Sequence, residues 1–152
     1  MPKTKPKRSD NPTHWDWEVS IDILIINRII DAHILDEWHG DSPANQTFAH
    51  CAFTQLMVHL RDLLIKADRE GLRLDHKQPR TALDVTDIVV KLRDAACHIE
   101  SKDNFSGKSR FAFCCETLAN GDIVYSYGTY AMAYRGAILT TFSEVQRRLA
   151  NV

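Results

Sequence analysis

No apolar run in the 152-residue chain approaches the roughly 20 residues needed to cross a bilayer, so the sequence offers no transmembrane helix and no membrane contact is expected. The four cysteines, Cys51, Cys97, Cys114 and Cys115, lack the spacing of a disulfide framework. A vicinal pair cannot easily bridge itself, so free thiols in a reducing compartment are expected. No apolar stretch follows Lys3, Lys5, Lys7 and Arg8, which is unlike a secretory signal, and the expected location is the cytoplasm. There is no internal repeat. His33, His39, His50, Cys51, His59, Cys97 and His98 are ligand types without a compact zinc spacing, and no carboxylate cluster suits magnesium. His59 falls nine residues after His50, close to one helical face, but an isolated pair of this kind ordinarily packs or hydrogen-bonds. Neither a metal nor another cofactor is expected.

What is present is the mixture of a globular domain: 44% hydrophobic and 26% charged residues, in a chain of single-domain length. The net charge of −1 is unevenly spread. Residues 1–12 read as a flexible basic N-terminal arm, and residues 13–152 as one helical domain. Lys102, Lys108 and Arg110 form a second basic stretch, suited to phosphate contacts or simply to a solvated loop.

Apolar periodicity predicts a first helix over residues 13–38, because Val19, Ile23, Ile26, Ile30, Ile34 and Trp38 recur at steps of three and four. Ser42-Pro43 is a helix start, since proline needs no donor in the first turn. A second helix then carries Phe53, Leu56, Leu60, Leu63, Leu64 and Ala67, and stops at Gly71. A third opens at Thr81-Ala82-Leu83-Asp84, a cap-like arrangement, with Val85, Ile88, Val89, Leu92, Ala96 and Ile99 inward. Residues 101–110 read as a loop. Alternation at Phe111, Phe113, Cys115 and at Ile123, Tyr125, Tyr127 flanks Asn120-Gly121, which predicts a hairpin. A fourth helix is predicted over residues 129–149. The expected fold is mainly α: an antiparallel four-helix bundle with a short β-hairpin between the third and fourth long helices. Trp15, Trp17 and Trp38 suit either a stacking platform or, as is usual for aromatics at helix ends, core or interface.

The chemistry-bearing run is Arg93-Asp94-Ala95-Ala96-Cys97-His98, at the end of the third helix. At about 100° per residue, Arg93 and His98 fall on opposite shoulders of the buried stripe, roughly 7.5 Å apart along the axis. They converge on one phosphate only if the helix frays or a ligand or second subunit lies across its end. The same spacing class recurs at Arg28 to His33 and at Arg69 to His76, but the first lies inside a helix and the second spans Gly71.

The run at Arg93 resembles the motif of the HEPN superfamily, helical bundles whose nucleolytic members carry Arg-x4-6-His near the end of a late helix, commonly with a polar residue after the Arg. That resemblance implies a metal-independent endoribonuclease that cleaves RNA by 2′-hydroxyl attack, with two motifs facing each other across a homodimer. It implies catalytic roles for Arg93 and His98, with Asp94 orienting one of them. A toxin or antiviral defence role, restrained by an antitoxin or regulatory protein, would follow. Glu100 stands where toxin members often have a tyrosine two residues after the His, so control by modification there is not expected. The rival class is a non-catalytic helical module that binds RNA or a partner protein.

Overall fold

The computed structural model describes residues 12–37, 43–79, 81–97, 105–106, 109–110 and 113–152. The protein is mainly helical with a small three-stranded antiparallel sheet. The helices are α1 (Pro12–Asp31), α2 (Pro43–Arg69), α3 (Val85–Cys97) and α4 (Thr140–Ala150). None of the described helices is long and apolar enough to cross a membrane.

Helix α2 is the central element and packs against α1, α3 and α4. Its Phe53, Leu56, Met57, Leu60, Leu63 and Leu64 are fully buried, and meet Ile26 of α1 and Val85, Val89 and Leu92 of α3 in one core. Apolar burial on this scale stabilises by roughly 1.5–3 kcal/mol per large side chain.

Helix α1 ends at Asp31, seven residues before the expected boundary, and Trp38 lies outside the described residues. The periodic pattern does continue through Ile34, but His33 adopts φ +55° and turns the chain, so Leu35 becomes the fully buried residue. A buried tertiary contact on this turn is the Tyr125 hydroxyl, which donates to the Leu35 carbonyl at 2.7 Å. Both groups are buried. Tyr125→Phe is therefore expected to cost about 1–3 kcal/mol, the desolvation penalty of an orphaned carbonyl, measurable as a lower urea midpoint with an unchanged slope.

The cap before α3 is as the sequence suggests, one step along. Asp84 Oδ1 accepts the Asp87 N–H at 2.8 Å, Thr81 Oγ1 accepts the Leu83 N–H at 3.1 Å, and the helix proper begins at Val85.

Strands β1 (Phe105–Ser106) and β2 (Ser109–Arg110) form a two-residue antiparallel pair within the stretch expected to be loop. The three-stranded sheet has the order β3 (Cys114–Thr117), β4 (Ile123–Tyr127), β5 (Tyr130–Ala133), with Cys115 opposite Tyr125 and Tyr125 opposite Met132. The hairpin expected at Asn120-Gly121 is β3–β4, and Gly121 sits at φ +82° as that turn requires. Strand β5 occupies what reads in the sequence as the first turn of the fourth helix. Tyr130, Met132 and Tyr134 also alternate with period two, and Gly128 at φ +56° lets the chain reverse to pair with β4. A wide helical turn, Tyr134–Leu139, then leads into α4.

The buried carboxylate of Asp122 ties that turn to the sheet. It accepts the N–H groups of Ile123, Arg135 and Gly136 at 2.8, 2.9 and 2.8 Å.

Candidate functional site

Arg93 lies on the flank of α3, beside the stripe of Val85, Ile88, Val89, Leu92 and Ala95 that enters the core. Ala95 rather than Ala96 is the fully inward alanine. The Arg93 side chain is 28% exposed, and its Nη1 donates to Asp94 Oδ1 at 3.1 Å, so the sequence neighbours expected to act together are in contact. Cys97 ends the helix on the surface. His98, Lys102 and Lys108 lie outside the described residues; Arg110 is on β2, and its side chain is outside them too.

The competing Arg/His spacings have other occupations. His33 is exposed in the turn after α1, where Asp36 Oδ2 accepts from its Nδ1 at 2.5 Å and, through that hydrogen bond, raises its pKa. Arg69 and His76 lie on either side of Gly71 at φ +76°, both on the surface. Among the described residues no three His, Cys, Asp or Glu side chains are placed to hold a metal ion.

His50 and His59, which share a face in the sequence, take part in two different clusters. His59 Nδ1 donates to Asp22 Oδ1 at 3.0 Å, and Lys66 Nζ donates to Asp22 Oδ2 at 3.1 Å, so a nearly buried carboxylate of α1 is neutralised by α2. His50 instead meets Tyr127. The Tyr127 hydroxyl is hydrogen-bonded to His50 Nε2, while Phe113 stacks on the imidazole with centroids 5.1 Å apart and planes at 20°.

Burial pushes the Tyr127 phenol up to about 12, opposed by a hydrogen bond with Thr54, and burial pushes the His50 imidazolium down. The phenol is therefore the donor and the neutral imidazole the acceptor, which places the ring proton on Nδ1. The charges that Cys97 and Cys51 would carry as thiolates raise the phenol a little further. Helix α3 packs against β4, the strand that carries Tyr127. Sequence reasoning missed the His50–Tyr127 pair; its one local signal is a histidine three residues before the core residue Phe53.

A histidine whose imidazolium is disfavoured in the folded state makes the unfolded state bind more protons below its ordinary pKa. The stabilisation from His50 is then complete above about pH 6.5 and is lost as pH falls through the lowered folded value. His33 works in the opposite sense, since its folded pKa is raised, but on an exposed and screened pair. Denaturation at pH 5 and pH 8 is expected to show a smaller loss of stability at pH 5 for His50→Gln than for the parent protein.

Comparison with protein families, with curated proteins and with solved structures finds no match.

Proposed function

We propose that this protein is a metal-independent endoribonuclease of HEPN type, an antiparallel four-helix bundle decorated by the small sheet, acting as a homodimer. The observation that carries the reading is Arg93 with Asp94, partly exposed on the last turns of α3, in the run that continues to His98. Arginine supplies a permanently charged planar fork for a phosphate whose charge grows in the transition state. Histidine supplies a proton carrier near neutral pH. The RNA 2′-oxygen forms a bond to phosphorus as its proton passes to a base, the bond from phosphorus to the 5′-oxygen breaks, and that oxygen is protonated. The products are a 2′,3′-cyclic phosphate and a 5′-hydroxyl end.

Lys102, Lys108 and Arg110 are the cations suited to flanking phosphates. The dimer places two motifs together. Phe48, 64% exposed on α2, and the surface thiol of Cys51 one turn further on offer apolar area for a second copy. Light scattering at micromolar concentration is expected to give twice the chain mass; a monomer counts against the shared site. A cytoplasmic toxin or defence role, held in check by an antitoxin or regulatory protein, is the biological setting in which such an activity fits.

Total RNA incubated with the protein, with and without EDTA, tests the reaction. Cleavage should persist in EDTA and vanish when the target position carries a 2′-O-methyl group. Full activity on methylated RNA, or loss in EDTA, would overturn the mechanism.

A further inference from the structure

Helix α1 packs on α2, and its outer side carries Trp17 at 65% exposure and Leu24 at 53%, two large apolar side chains left on the surface. Ile21 between them is half-buried, and Arg28 is exposed with no ion-pair partner among the described residues. At about 100° per residue these four side chains fall within an arc of about 60°, opposite the fully buried Ile26. They form one stripe three turns long. Single exposed apolar residues are ordinary, but a contiguous stripe marks a contact surface. Beside it, Arg61 pairs with Asp62 at 3.1 Å, and Lys66 pairs with Asp22 and Glu18 at 3.1 and 3.4 Å. Those charges are met within the chain, and the stripe itself offers a partner apolar area and one guanidinium.

We propose that this stripe pairs with the same stripe of a second copy of the chain, the two α1 helices running antiparallel. The stripe is complementary to its own reverse: Trp17 lies four residues before Ile21, and Arg28 four residues after Leu24. A two-fold axis midway between Ile21 and Leu24 therefore sets Ile21 against the partner's Leu24, and Trp17 against the partner's Arg28. A guanidinium over an indole face is a favourable cation–π contact, and a two-fold interface makes it twice. A parallel pairing would instead set Arg28 against the partner's Arg28, two like charges. In the antiparallel one they stand at opposite ends, about 16.5 Å apart along the helices.

Side chains of this exposure present on the order of 400 Å², about half the roughly 800 Å² per partner of a standard interface, so the contact is weak and reversible. It lies on a different helix from Arg93, and joins homodimers of the kind proposed above as concentration rises. It does not rest on the ribonuclease reading.

Sedimentation velocity of the full chain, from about 5 to about 500 µM, is expected to show a reversible rise in mean mass above the value at the lowest concentration. Trp17→Ala and Arg28→Ala, both at exposed positions and checked for fold by circular dichroism, are each expected to weaken this association about 5- to 30-fold, since each removes both symmetric contacts. The double variant should weaken it no more than the worse single one. Within one chain the two side chains are three turns apart, so non-additive losses report a contact across the axis. A mean mass that stays constant over the range, or a rise that both variants keep, overturns the α1 contact, and additive losses overturn the antiparallel pairing. Failure of the ribonuclease reading appears separately, as intact RNA in the activity assay.

Discussion

Alanine at Arg93 is expected to slow RNA cleavage by about 10²- to 10³-fold, the usual loss when one pre-positioned donor to a developing oxyanion is removed. The guanidinium contributes most where phosphate charge is largest, so the loss should fall on kcat. Lysine is not an adequate replacement, because a compact ammonium lacks the planar fork that meets two phosphate oxygens at once. Alanine at His98 is expected to cost about 10²- to 10⁴-fold through loss of proton transfer. The double variant should lose little more than the worse single one, since groups acting as a unit are not additive.

Loss of the ion pair with Asp94 should by itself cost Arg93→Ala little stability. Asp94 is partly exposed, and surface pairs of this kind contribute about 0–1 kcal/mol. Cleavage rates read alongside a urea titration therefore separate chemistry from folding. A variant that loses activity and several kcal/mol together would point to a structural arginine, and one that keeps full activity would remove Arg93 from the reaction.

Asp122→Ala is expected to be the most damaging polar substitution among the described residues, lowering stability by about 3 kcal/mol or more. Its carboxylate is buried and accepts three backbone N–H groups, one from β4 and two from the wide turn that starts at Tyr134. Those two come from the first turn of a helical segment, where backbone donors have no partner within the helix. Alanine would leave three donors without this acceptor, that of Ile123 in a buried place. Asn at the same position keeps one acceptor oxygen and should recover part of the loss. Against a total stability of about 5–15 kcal/mol, the change is large enough to read from a single urea transition. A loss under about 0.5 kcal/mol would mean that the turn is held by packing of Tyr134 and Ile138 alone.

The amino-acid sequence by itself determined the helices that pack on one apolar stripe, the start of α2 at Pro43, its end before Gly71 and the β3–β4 turn at Asn120-Gly121, because periodicity and turn chemistry act over a few neighbouring residues. It also put Arg93 on the flank of α3, since 100° per residue is geometry that needs no partner. Only the tertiary structure decided where α1 stops, because a pattern running through Ile34 looks the same whether or not Tyr125, 90 residues later, captures the Leu35 carbonyl. Tyr130, Met132 and Tyr134 fit strand alternation while Tyr130, Tyr134 and Ala137 fit a helix, and pairing with β4 chose the strand. The polar clusters were beyond sequence reading for the same reason. His50 finds Tyr127 across 77 residues, and Asp22 finds His59 and Lys66 across 37 and 44. No local signal marks such partners; folding brings them together when the apolar stripes are buried.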